Sequence, residues 1–118
     1  MGAAEKFLRS GELAQLTGLS ADTLRYYERI GVLPQSTRTA SGYRIYRRAA
    51  ADRVRLVQGA LRMGFTLAEL AEIFQACDSG GVPSPGVLNM TKEKLRSLEQ
   101  QVQELRRTQR YIREILRQ

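Results

Sequence analysis

The chain has 118 residues, with 19 basic and 12 acidic side chains giving a net charge of +7, one cysteine and no histidine. That length holds one small domain and an extension, and a lone cysteine excludes an intramolecular disulfide framework. No signal-peptide core and no apolar run of bilayer length is present, so a cytoplasmic protein without a membrane partner is expected. Without histidine, without a Gly-rich phosphate loop and with its carboxylates scattered over helix surfaces, the sequence points away from an enzyme, and it implies no cofactor. The positive charge is uneven: positions 1 to 63 carry 11 basic and 5 acidic residues, and positions 64 to 86 carry none and 3. Such an excess suits a polyanion, although basic faces also serve only to keep a protein soluble.

In chain order, Ser10 is positioned to cap a first helix that ends before Gly18. Leu13 and Leu16 are expected to face Leu19 and Leu24, the spacing of a helix-turn-helix. Ser20 can cap the second helix, Asp22 suits its first turn and Gly31 supplies a stop, which predicts a helix from Ala21 to Ile30. At 100° per residue Leu24, Tyr27 and Glu28 share one side, and Asp22, Arg25, Tyr26 and Arg29 the other. Tyr27 is therefore expected in the core. Tyr26 is expected outside beside Arg25 and flanked by Thr23, a combination suited to base edges and phosphates.

After Pro34, the run from Arg38 to Tyr46 places a Ser41-Gly42 turn between β-tolerant residues and predicts a small hairpin. Alternation puts Arg44 and Tyr46 on one face, Tyr43 and Ile45 on the other, so one face packs while the other is free to meet phosphate. Ala50, Val54, Val57 and Leu61 then recur at helical spacing up to a stop at Gly64, with Phe65 placed to fold back. Thr66-Leu67-Ala68-Glu69 is a capping box opening a helix whose buried stripe is Leu67, Leu70, Ile73 and Phe74.

Residues 78 to 85 break regular structure. Beyond them Leu88, Thr91, Leu95, Leu98, Val102, Leu105, Gln109, Ile112 and Leu116 fall on alternating steps of three and four, along a helix of about 30 residues and roughly 45 Å. That stripe either packs back on its own domain or, as its narrow width between charged flanks favours, forms a coiled-coil seam with a partner helix. The expected organisation is mainly α: a winged helix-turn-helix over 1–76, a linker over 77–86 and a dimerisation helix over 87–118.

LRYYERIGVLP, R-x-x-x-GYRIY and LRMGFTLAELAEIF, in this order, resemble the signature segments of MerR-type transcription regulators, over roughly residues 7 to 76. The resemblance implies that Thr23, Arg25 and Tyr26 contact the major groove of double-stranded DNA. Arg38, Tyr43, Arg44 and Tyr46 would be wing contacts to the backbone, and Arg62 a further phosphate contact. Ser10 and Gly42 count among the DNA-facing positions. It also implies an antiparallel coiled coil across a homodimer, with Leu88, Leu95, Leu98, Val102, Leu105, Ile112 and Leu116 in the seam, and an inverted-repeat promoter site. In such regulators an over-long spacer between the −35 and −10 elements is bent and untwisted so that RNA polymerase engages both.

Metal-sensing members of that family carry a cysteine just before the dimer helix, where this chain has Ser84, and more in a later loop. A closed soft-metal site wants at least two thiolates or imidazoles, so no metal site is expected within one chain. Cys77 leaves a site shared across a dimer, or a thiol switch, as alternatives to a small packing residue. Two further readings stand beside the regulator: a metal- or thiol-responsive sensor whose ligand loop is missing from this chain, and a coiled-coil adaptor without specific DNA recognition. The adaptor leaves Arg25, Tyr26, Arg44 and Tyr46 unexplained.

Overall fold

Two glycines in the left-handed region set the first half of the fold. The structure, a computed structural model that describes residues 7–118, opens with strand β1 (Phe7–Arg9) and helix α1 (Ser10–Thr17). Gly18, at φ 77°, stops α1 and returns its N–H to Ala14 O at 2.8 Å. Helix α2 (Ala21–Ile30) has the bounds its sequence predicts and ends at Gly31, whose φ of 90° favours a residue without Cβ. The chain then forms β2 (Thr37–Arg38), β3 (Arg44–Arg47), α3 (Ala49–Arg62), α4 (Leu67–Asp78) and α5 (Pro85–Arg117).

The predicted hairpin is β2 and β3, antiparallel with Thr37 opposite Ile45 and Arg38 opposite Arg44. β1 adds a third strand on the far side of β3, with Leu8 opposite Tyr46, giving the sheet order β1-β3-β2. Residues through Pro83 form one compact unit and Ser84–Gln118 a second. In the first, Leu13, Leu24, Val54 and Val57 are fully enclosed, joined by Val32 and Leu33 from the turn after α2. The capping box of α4 forms as read: Glu69 N donates to Thr66 Oγ1 at 3.1 Å and Thr66 N to Glu69 Oε1 at 2.9 Å. Leu70 and Phe74 are buried beneath it, with Leu67 and Ile73 packed at the margin.

Three local expectations are corrected. Ser10 is the first residue of α1, not its cap; Arg9 occupies the cap position, and its N–H is met by Glu12 Oε1 at 2.8 Å. Leu16 is 48% exposed; the core side of α1 is carried by Leu13, fully buried, with Ala14 packed against it. The stop at Gly64 holds: α3 ends at Arg62, Met63 is its C-cap, Gly64 follows at φ 97°, and the fold-back is secured by Phe65 N on Ala60 O at 3.1 Å. The expected linker 77–86 is shorter, since α4 runs through Asp78 and α5 begins at Pro85. Proline ends a helix only from within; at the first position its missing N–H has no partner to lose.

α3 and α4 grip the helix-turn-helix by its carbonyl ends. Gln58 Nε2 donates to Thr17 O at 3.1 Å, and Gln75 Nε2 to Ile30 O at 2.9 Å. Arg53 lies over the Phe74 ring at 4.1 Å, pairs with Asp78 Oδ1 at 2.9 Å and reaches Val32 O at 3.4 Å. Each clamp satisfies an otherwise orphaned acceptor at a helix end or turn. α5 is a single helix of 33 residues, about 50 Å long. Along it Leu95, Val102, Leu105, Ile112 and Leu116 are exposed within the single chain.

Candidate nucleic-acid interface

The surface of α2 follows from its cap. Ser20 Oγ accepts from Thr23 N at 3.1 Å and lies 3.0 Å from Thr23 Oγ1, so Thr23 is held at the helix start. From that start the helical period buries Leu24, Tyr27 and Glu28 and leaves Asp22, Tyr26 and Arg29 outside, with Arg25 partly exposed. The two adjacent tyrosines divide as their positions require. Burial pushes the Tyr27 phenol above its ordinary pKa, whereas Tyr26 is 42% exposed with the Arg29 guanidinium 5.3 Å from its ring centre. Arg25 pairs with Asp22 one turn back. Two guanidinium groups and a phenol thus share one helix face, all capable of donating hydrogen bonds to base edges or phosphate oxygens.

The hairpin is built around Gly42, whose φ of 90° allows the tight return. Thr39 N donates to Tyr43 O at 2.8 Å, and Arg38 Nη1 to Gly42 O at 2.8 Å. Tyr43 is 55% exposed, with the Arg9 guanidinium 4.9 Å from its ring centre. Arg38 and Tyr43 therefore stand at the solvent side of the wing. Arg62 lies exposed in the last turn of α3.

One expected contact is overturned. Tyr46 is 2% exposed, and its hydroxyl donates to Glu28 Oε2 at 2.5 Å, with a further hydrogen bond from the Ser10 side chain. A phenol enclosed in this way does not reach phosphate. The alternation along β3 holds, but the face carrying Arg44 and Tyr46 is the one that packs. α1 and α2 cover it, through Ser10 and Glu28, while β1 lies beside β3 in the same sheet. Arg44, partly exposed, sends Nη1 to Glu28 Oε2 at 3.3 Å.

Glu28, 4% exposed, is the centre of this arrangement. Burial alone drives its carboxyl pKa up, but hydrogen bonds from Tyr46 and Ser36, together with the Arg44 guanidinium, outweigh that and hold it below the ordinary value. The same contacts act on Tyr46, whose pKa burial and the neighbouring carboxylate both raise. The helical period places Glu28 on the buried side, and a buried carboxylate demands donors. Which donors is set by tertiary structure alone. Arg9 and the clamps Gln58, Gln75 and Arg53 have no sequence signal beyond their polarity.

A capped helix presenting arginine and tyrosine, fastened to a basic aromatic hairpin, defines a winged helix-turn-helix reader of nucleic acid. The profile described as MerR HTH family regulatory protein matches residues 8–77, and that described as MerR, DNA binding matches residues 51–115. The chain belongs to the MerR family and is a DNA-binding transcription regulator, not an enzyme. It is 32% identical over 104 residues to the mercuric resistance operon regulatory protein of Bacillus cereus, covering 88% of this chain and 79% of that protein. It is 29% identical over 105 residues to the regulator ZntR of Escherichia coli strain K12, covering 88% and 74%. Among solved structures it resembles HiNmlR, a MerR family regulator lacking the sensor domain, bound to promoter DNA, at TM-score 0.67 and 22% identity over 94% of this chain and 88% of that one. It also resembles the N-terminal part of the Bacillus subtilis multidrug transporter activator, at TM-score 0.55 and 29% identity over 86% and 92%.

Proposed function

We propose that this regulator acts as a homodimer in the cytoplasm, joined through antiparallel α5 helices, and binds an inverted-repeat promoter site. Each α2 enters a major groove, with Arg25, Tyr26 and Thr23 toward base edges. Arg38 and Tyr43, with the free edge of Arg44, lie along the backbone, and Arg62 adds a phosphate contact. The observation that carries this reading is the outward face of Arg25, Tyr26 and Arg29 on a helix fastened to the hairpin. The seam Leu88, Leu95, Leu98, Val102, Leu105, Ile112 and Leu116 supports the dimer, since a row of large apolar groups in water favours a covering helix. Control of initiation follows by deforming the promoter spacer so that RNA polymerase engages both elements. That deformation costs several kcal/mol, repaid through the paired contacts.

A resident soft metal does not fit the residues of this chain. Cys77 is the single cysteine and is exposed in the last turn of α4. Among the described residues no three His, Cys, Asp or Glu side chains gather where they could hold an ion.

Selection of bound duplexes from a random pool at moderate salt tests the proposal. The expected product is an inverted repeat with half-sites about one helical turn, or a multiple of it, apart. Enrichment of nothing beyond competitor DNA, or of a single half-site, counts against it.

A further inference from the structure

Glu28 is the one buried acidic side chain among the described residues, and its two oxygens hold different parts of the wing. Oε1 accepts from Ser36 N at 2.9 Å and Ser36 Oγ at 2.8 Å, immediately before β2. Oε2 accepts from Tyr46 OH at 2.5 Å and Arg44 Nη1 at 3.3 Å, both on β3. The Glu28 carbonyl takes a further bond from Gln35 Nε2 at 3.4 Å. Each strand of the hairpin is thereby fastened at its root to α2 through a separate oxygen of one carboxylate. Only a carboxylate meets this demand, since both its oxygens accept, whereas an amide turns two N–H donors toward one strand root or the other. A hydrocarbon of the same size leaves the enclosed Tyr46 hydroxyl and the partly buried Ser36 N–H without this acceptor.

We infer that Glu28 is a positioning residue that sets the spacing between recognition helix and wing, and through it the register between base contacts and wing contacts on the backbone. The inference rests on the DNA-reading mode proposed above. Glu28 touches no DNA. It acts by holding Arg44 with one edge free and by keeping Arg38 and Tyr43 at a fixed distance from Arg25 and Tyr26. Two contact sets on one rigid frame bind as a unit; on a loose frame the second set pays its ordering cost separately.

The test compares Glu28→Gln, Tyr46→Phe and Arg25→Ala with the wild-type protein on the selected duplex, by affinity across a salt series, by hydroxyl-radical footprinting of the backbone and by protection of guanine N7 in the major groove from dimethyl sulfate. In Glu28→Gln affinity is expected to fall by about tenfold to a hundredfold, the scale of a misplaced contact set. The salt dependence becomes shallower by about one or two phosphates per monomer. Backbone protection flanking the half-site is lost while protection in the major groove stays. Tyr46→Phe keeps the ring and its packing but removes one donor from Oε2, and moves both readouts the same way by less. A residue needed only for folding would lower the active fraction and leave the salt slope and footprint of the folded molecules unchanged. If Glu28→Gln does not fold, Tyr46→Phe carries the test alone. Wild-type slope and wing protection in the folded variants overturn the inference. Arg25→Ala tells the two levels apart: wild-type binding by that variant removes the recognition-helix assignment, and this inference with it. Loss of binding in Arg25→Ala beside wild-type behaviour in the other two removes the positioning role alone.

Discussion

Arg25 and Tyr26 stand on the outward face of α2, so truncating either removes surface groups and leaves the core intact. Arg25→Ala and Tyr26→Ala are expected to lose about 1–3 kcal/mol of specific DNA affinity per base contact while the dimer survives. Unchanged affinity for the selected duplex in both variants would put the recognition surface elsewhere. Glu28 gives a second expectation, in stability. Its folded-state pKa is depressed below the ordinary carboxylate value. The stability it contributes is therefore complete above the unfolded pKa and is lost as pH falls through the folded one. Denaturant unfolding between about pH 6 and about pH 3 is expected to show a shallower acid limb in Glu28→Gln than in the wild type. Parallel curves would mean that the carboxylate is not the group being protonated. The sequence places Glu28 on the buried side by period alone and Tyr46 on the face shared with Arg44. It does not say which face of the hairpin meets the core, because that depends on α1 and α2 arriving above it. This is why Tyr46 reads as a surface contact and proves to be a buried donor.

Elements that carry their own start and stop signals were the legible part of the fold. α2 has Ser20 and Gly31 at its ends and runs between them, and α4 has a reciprocal capping box. β1 has three residues and no period. It forms because β3 offers a free edge, a fact about the tertiary structure. Two variants test the signals. Thr66→Ala removes the acceptor for Glu69 N and is expected to cost about 1 kcal/mol in urea unfolding. Gly31→Ala acts twice. A Cβ at φ 90° is strained, and it would come within 2.1 Å of Gln75 Nε2, the donor to Ile30 O. The left-handed penalty alone is about 1–2 kcal/mol, so Gly31→Ala is expected to destabilise more than Thr66→Ala. The reverse order would show that Gln75 swings aside and that the αL turn is not the stop for α2.

At the scale of the whole molecule the question is what covers α5. The apolar period of the helix is legible because it is one-dimensional; the partner is not, because nothing in one strand of a seam names the other. Leu105 gives the cleanest probe, being 67% exposed in the single chain, so that a charge there costs the monomer little. In a paired seam the same change replaces about 1.5–3 kcal/mol of apolar burial per chain with a desolvated carboxylate, twice over by symmetry. Leu105→Asp is therefore expected to sediment as a monomer at concentrations where the wild type is dimeric, with an unchanged thermal transition for residues 7–83. Its DNA binding follows from the arithmetic of linkage. A dimer binds its second half-site at the effective concentration set by the coiled coil, about millimolar for tethered modules, and a monomer loses that gain along with half of its phosphate contacts. The salt dependence of binding is expected to fall to about half that of the wild type. A variant that remains a tight dimer, with its salt slope intact, would move the interface off this stripe.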